Sequence, residues 1–492
     1  MSDIFIGKGT KPVQLLAKYG NRHGLVAGAT GTGKTVTLLV LAEGFSRIGV
    51  PVFVADVKGD VAGLAMPGEA SDRLKQRIAQ VGLTDWAAEA CPVLFWDVYG
   101  QAGHPVRATV SEIGPALLAR MLDLSDAQEG ALEVVFKLAD DRGLLLLDLD
   151  DLRALLAFAA EHRQEVSNAY GLVSTQSIAA IQRALLTVER EGGQALFGEP
   201  ALELADLMRT DLGGKGVVSV LAADQLVLRP RLYSSFLLWL LSELYENLPE
   251  VGDLDKPKLV FLFDEAHLLF DDAPPALRQK VEQVVRLIRS KGVGVYFCSQ
   301  FPDDIPGEVL GQLGNRFQHA LRAFTPRDQK AVRTAAETFV ASPGLDVAKV
   351  ISALGVGEAL VSTLQDNAVP MPVERTWIAP PRCRIGAIRG DERQAVRSRS
   401  PIGPKYDTAV NRESAYELLS KRTAPPSGQA SAPAGTPPPA GSTAIGVVND
   451  ILWGTSRRQG LAETMAKQVT RSIGSALVRG ILGGLTGSSR RR

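Results

Sequence analysis

Gly28-Ala29-Thr30-Gly31-Thr32-Gly33-Lys34-Thr35 places three glycines ahead of a lysine and a hydroxyl. That order and spacing suits the holding of a polyphosphate. Glycines let backbone N–H groups turn inward around phosphate oxygens, and a helix starting there adds the positive end of its dipole. Lys34 is then placed for the β and γ phosphates of a nucleoside triphosphate, and the Thr35 hydroxyl for Mg2+. The competing reading is a purely structural glycine turn. The position of the eight residues, after a buried apolar strand and opening a helix, argues against it.

Hydrolysis needs a second, acidic centre. KLVFLFDEAH (258–267) supplies one: an apolar run that reads as a buried strand, then Asp264 and Glu265 at its C-terminal edge. Asp264 is expected to complete the Mg2+ shell, and Glu265 to act as general base on the attacking water. GVGVYFCSQ (292–300) ends in Ser299-Gln300, and Gln300 is expected to sense the γ-phosphate. Asp56, in VFVADVKGD, ends a strand expected to neighbour the phosphate-turn strand. Asp56, Lys58 and Asp60 should then face the site and support metal or water, because parallel sheets bind ligands outside the carboxyl ends of their strands. A solvated turn holding a charge pair is the other reading of those three. His267 follows the acid pair, but the five histidines show no metal-ligand spacing, so it is read as structural or supporting.

Elements must bring these groups together. HGLVAGA (23–29), VPVFVAD (50–56), PVLFWDVYG (92–100), VVSVLAAD (217–224), 258–267 and 292–300 read as strands, and the stretch after Thr35 as a helix ending at Gly49. Strands alternating with helices predict an α/β fold with a mainly parallel sheet. FQHALRAF, GEALVSTL and PVERTWIAP are candidate strands closing it. From Ser111 to Leu212 the pattern turns helical, with cap residues at Ser125 or Asp126 and at Ser174. The expected organisation is a core in two parts, 1–110 and 213–422, split by a helical insertion at 111–212. A Pro/Ala/Gly/Ser linker at 423–444 cannot pack a core, and a basic amphipathic segment follows at 445–492.

The bulk composition narrows the class. With 492 residues and 45% hydrophobic side chains, most of the chain can bury a core. Cys91, Cys298 and Cys383 are too few and too scattered for a disulfide framework or zinc site, and read as buried reduced thiols. The start MSDIFIGKGT has no signal-peptide pattern, and SSFLLWLLSELY (234–245) is too short to span a bilayer. A cytoplasmic location is expected. Net charge is zero, but 18 Lys and Arg face 7 Asp and Glu from Pro381 onward, while the first 380 residues carry 36 against 47. A basic tail on an acidic body suits nucleic acid, an anionic membrane surface or intramolecular docking.

Together, GATGTGKT, VADVKGD, FLFDEAH and the strand-end CSQ followed by PDDIP resemble the HerA/FtsK group of P-loop ATPases. The likeness is strongest to a bacterial YjgR-like branch described as HerA-like helicases or nucleoside-triphosphate hydrolases, which also has stretches similar to ADDRGLLLLDLDDLRALL and EREGGQALFGEP. It covers residues 3–420. The resemblance implies a RecA-like (ASCE) core that binds ATP and Mg2+ and assembles as a homo-oligomeric ring, expected as a hexamer. It also implies that a neighbouring subunit's arginine completes each site, with Arg316 the best positioned and Arg322 and Arg190 as alternatives. HerA carries a β-barrel ahead of its ATPase core. Here the phosphate turn begins at residue 28, so neither such a barrel nor the docking surface tied to it is expected.

Three uses of such an engine follow. A ring could translocate or unwind DNA, with salt-dependent phosphate contacts. It could remodel or energise protein partners without nucleic acid, which the acidic body suits. Or the segment from Ile445, with Ile473, Leu477, Ile481 and Leu482 among terminal arginines, could rest on anionic lipid or on a neighbouring subunit.

Overall fold

Apolar runs such as Leu259–Phe263 and Val293–Ser299 are buried along their whole length, as strands covered by helices on both faces must be. The computed structural model describes residues 3–69, 71–252, 254–271, 275–322, 325–340 and 342–423. In chain order its strands are β1 (Ile4–Lys8), β2 (Pro12–Leu15), β3 (Gly24–Ala27), β4 (Val52–Asp56), β5 (Val93–Asp97), β6 (His104–Pro105), β7 (Val218–Ala222), β8 (Leu259–Phe263), β9 (Val293–Ser299), β10 (Asn315–Gln318), β11 (Glu358–Ser362), β12 (Leu364–Gln365), β13 (Val369–Pro370) and β14 (Glu374–Ile378).

Twelve of these form one sheet in the order β2-β1-β14-β11-β10-β3-β9-β8-β4-β7-β5-β6, and β12 and β13 make a small hairpin. From β10 to β6 the pairings are parallel. β11, β14, β1 and β2 extend the other side with antiparallel pairings.

Two features depart from the sequence reading. The strand carrying Asp56, β4, does not neighbour the phosphate-turn strand β3. It pairs with β8 and β7, while β9 and β10 flank β3. Chain order does not set sheet order: β9, late in the sequence, inserts between β3 and β8. The second departure is the hairpin β1–β2, whose five-residue first strand is too brief for a clear alternation. β2 is the edge strand, and β1 joins the sheet through β14, with Gly7 opposite Ile378.

Helix α1 (Lys34–Arg47) starts on the phosphate turn, and α2 is Asp72–Val81. Between β6 and β7 the chain is helical: α3 (Val110–Met121), α4 (Asp126–Arg142), α5 (Leu149–Glu161), α6 (Arg163–Tyr170) and α7 (Thr175–Arg190). Their starts are chemically marked. Thr109 and Glu112 form a capping box on α3, Ser125 and Gln128 one on α4, and the Ser174 hydroxyl accepts the Ser177 N–H at 3.0 Å. α3 packs on α4, while α4 and α5 pack on α7.

The apolar stretch at 234–245 lies inside the longer helix Pro230–Asn247, most of whose residues are buried against the protein. Among the described residues no helix is long and apolar enough to cross a membrane. The described residues up to Tyr245, together with those of Pro249–Arg422, make one compact unit. Of the linker expected at 423–444, Thr423 closes the helix Ala415–Thr423, and the rest of it and the basic segment at 445–492 lie outside the described residues. All three cysteines are free and buried, and burial pushes each thiol up, as expected of inert reduced side chains.

Candidate functional site: a phosphate turn facing an acidic pair

The turn after β3 is held from behind. Gly28 N–H donates to Ser299 O at 3.3 Å, tying the turn to the end of β9, and Ala29 N–H donates to Ala320 O at 2.8 Å. Gly28 and Gly33 adopt φ of +152° and +118°, where a side chain is disfavoured. Thr30 and Gly31 form the exposed rim, while Thr32 and Lys34 are buried. The Lys34 ammonium folds into the turn and donates to Gly28 O at 2.6 Å and Ala29 O at 3.2 Å. It thus occupies the concave side, where an anion would take over its bonds.

His319 forms the floor and was not singled out by the sequence reading. It is fully buried directly after β10, and its backbone N–H donates to Ala27 O at 2.7 Å. One ring nitrogen lies 2.9 Å from Glu358 O, and the other 2.8 Å from the Thr37 hydroxyl on α1. A neutral ring satisfies both, donating from Nδ1 and accepting at Nε2, a tautomer assigned from the partners. Burial holds its pKa down at about 4. The ring therefore braces turn, helix and β11 together as an uncharged spacer. A single buried histidine carries no sequence signal for such a role.

A Cβ added at Gly28 would lie 2.5 Å from the His319 Cβ, against a side chain that cannot retreat. Gly28→Ala is expected to weaken nucleotide binding at least about tenfold and to lower the melting temperature by several degrees, read by calorimetric titration and thermal unfolding.

Asp264 and Glu265 emerge from β8 at the same sheet edge, with the end of β9 between them and the turn. Both are buried, and Glu265 takes a left-handed backbone, φ 46° and ψ 51°. Asp264 Oδ2 and Glu265 Oε2 have no hydrogen-bond partner, and neither does Asp60 Oδ1. The loop after β4 reaches across to both halves. Asp56 shapes it by accepting Gly59 N–H at 2.8 Å and Ala62 N–H at 3.2 Å. The Thr35 hydroxyl donates to Asp60 Oδ2 at 3.2 Å, and the Lys58 ammonium pairs with Glu265 Oε1. Asp60 was read only as a supporting group, yet it contacts the hydroxyl predicted to bind metal.

Carboxylates crowded out of water repel each other. Burial, with Asp60 and Asp264 nearby, raises the Asp56 pKa to about 7. Burial, with Glu265 and Asp60, raises that of Asp264 to about 6. A divalent cation offsets such crowding, and the unpartnered oxygens of Asp264 and Asp60 with the Thr35 hydroxyl suit a hard oxygen-seeking ion. No three acidic, cysteine or histidine side chains among the described residues converge to cage a metal alone.

Gln300 directly follows β9 and is half-buried at the edge shared by turn and acid pair. The His267 Nδ1 lies 3.4 Å from Glu265 Oε2, a supporting position. Arg316 lies within β10, and its guanidinium donates to Leu313 O and Leu310 O, both at 3.1 Å, in its own chain. It is not brought to the turn. Arg190 is hydrogen-bonded to Thr187 on α7, and Arg322 is exposed after β10.

A glycine turn feeding a helix, with an acidic pair two strands away and one strand intervening, defines a RecA-like P-loop α/β fold. Comparison places it more closely: residues 3–492 match the helicase HerA-like C-terminal family, and the chain belongs to it. The same fold is seen in the plasmid coupling protein TrwB in complex with ADP and Mg2+, at 15% identity and TM-score 0.53, covering 80% of this chain and 92% of that one. The unbound coupling protein TrwBdeltaN70 is similar at 15% identity and TM-score 0.52, with the same coverage. A probable helicase of Methanocaldococcus jannaschii is 28% identical over 136 residues, 27% of this chain. The chain spans about a quarter (24%) of that relative's length.

Proposed function

We propose that the chain binds ATP at residues 28–35 and hydrolyses it, and that it uses this cycle as a ring-forming DNA translocase or helicase. The observation that carries the hydrolytic reading is the convergence of the phosphate turn, Thr35–Asp60 and Asp264–Glu265 on one sheet edge, with Gln300 at the tip of the strand between. In this reading Lys34 leaves its two carbonyl partners for the β and γ phosphates. Thr35 and Asp264 hold Mg2+, which offsets phosphate charge when bound. Glu265 takes the proton of the attacking water, and Gln300 relays the state of the γ-phosphate to the loop after β9. Residues 111–212 form an insertion between the two parts of the core.

Ring assembly would let a neighbour's arginine face the γ-phosphate. For Arg316 to serve, it must give up Leu310 O and Leu313 O. DNA as the track is supported by membership in a helicase-like family, by the plasmid coupling proteins of the same fold, and by the excess of 18 basic over 7 acidic residues from Pro381 onward. Phosphate turnover with and without single- and double-stranded DNA, together with a mass measurement of the assembly, tests this. The expected result is several-fold stimulation that weakens as salt rises. Hydrolysis indifferent to every DNA form would remove DNA as the track while leaving the ATPase standing.

A further inference from the structure

We propose that Lys58 is a positioning residue that latches the general base, holding Glu265 idle until a γ-phosphate enters. This rests on the reading of Glu265 as base. The two partners are unlike in exposure: the Lys58 side chain is 47% exposed and that of Glu265 only 6%. A buried carboxylate is thus held by an ammonium on a flexible stem that stands half in solvent. The pair engages Oε1, and the His267 ring faces Oε2 at 3.4 Å. Oε1 is thus taken by the ammonium, while Oε2 makes no hydrogen bond and is buried away from solvent.

The loop that carries Lys58 is itself anchored. Asp56 accepts from Gly59 and Ala62, and Asp60 accepts from the Thr35 hydroxyl. Lys58 therefore sits between two fixed points, one on the acidic side and one on the phosphate-turn side. Gly59, at φ +76° with open space around it, allows the turn between them. A compact, mobile point charge there has two competing partners, the single charge of Glu265 and the greater charge of an incoming triphosphate. Transfer of Lys58 toward the phosphate frees Oε1 to accept a hydrogen bond from water. ADP, lacking the γ-phosphate, leaves the latch closed. The proton later moves from water to Glu265 Oε1 as the new P–O bond forms and the bond to ADP breaks.

Removing the latch should raise the unstimulated rate and spare ATP binding. In steady-state assays of the full chain without nucleic acid, Lys58→Met is expected to raise kcat about fivefold, as for loss of one part-exposed ion pair of about 1 kcal/mol, with KM within twofold. Thermal unfolding with and without Mg2+ and a non-hydrolysable ATP analogue confirms that the variant is folded and binds. Lys58→Gln, which keeps a polar end without the charge, is read in the same way and replaces Lys58→Met if that variant does not fold. An unchanged or lower kcat in a variant that retains the analogue-induced shift overturns the latch. The hydrolytic reading fails separately, if the wild type binds Mg2+ and ATP yet releases no phosphate.

Discussion

Glu265→Gln is expected to lower kcat by about 10³ while leaving ATP binding intact, since general-base catalysis contributes 10²–10⁴-fold. The substitution keeps the shape of the side chain at the end of β8 but removes its charge, and with it both the ion pair to Lys58 and the capacity to take a proton. Phosphate binding is carried elsewhere, by the 28–35 turn, Lys34 and the start of α1, none of which hydrogen-bonds Glu265. Binding of a labelled ATP and release of phosphate are to be measured on one preparation. Tight binding without turnover is the expected pair of results. Turnover near the wild-type rate would remove Glu265 from the chemistry.

Asp264→Asn should move activity and stability in opposite directions. The Asp264 carboxyl is held at about 6 in the folded chain, chiefly by burial and then by Glu265 and Asp60, whereas an unfolded aspartate titrates near 3.8. Above pH 6 the nucleotide-free protein therefore carries a buried charge that opposes folding, by about 2–3 kcal/mol. The folded state binds the proton more tightly, so this destabilisation fades as pH falls through 6 and is gone below the unfolded value. Asparagine removes the charge. The variant should melt several degrees higher than wild type at pH 7.5, with the difference shrinking toward pH 4. Turnover should fall by about two to three orders of magnitude, because the metal loses its acidic ligand. Melting curves across pH without nucleotide, beside phosphate release at pH 7.5, decide the matter. A destabilised Asp264→Asn at pH 7.5 would contradict the crowded-carboxylate account.

The phosphate turn and the acid pair were legible in the sequence because their physics is local. A glycine turn, a lysine and a hydroxyl at fixed spacing, and an apolar run ending in two acids, announce themselves within ten residues. Sheet order was not legible. β4 was placed beside β3 because it comes next in the chain, but β9, some 240 residues later, takes that place. The hairpin β1–β2 carries little signal because its strands are only five and four residues long, and β1 joins the sheet through β14, far along the chain. His319 lay beyond reach for the same reason. Its role arises from contacts with Ala27, Thr37 and Glu358, three segments that only folding brings together. The loop 56–60 was half legible: its charges were seen, but not that Lys58 would meet the base and Asp60 the Thr35 hydroxyl.

In the proposed cycle one sheet edge binds a triphosphate and cleaves it. Release of inorganic phosphate from ATP by the purified full chain, with Mg2+ and again with the metal chelated, tests it most directly. Magnesium-dependent turnover, absent from Glu265→Gln handled in parallel, is the predicted result. A chain that binds ATP and Mg2+ but releases no phosphate above the Glu265→Gln background would contradict it.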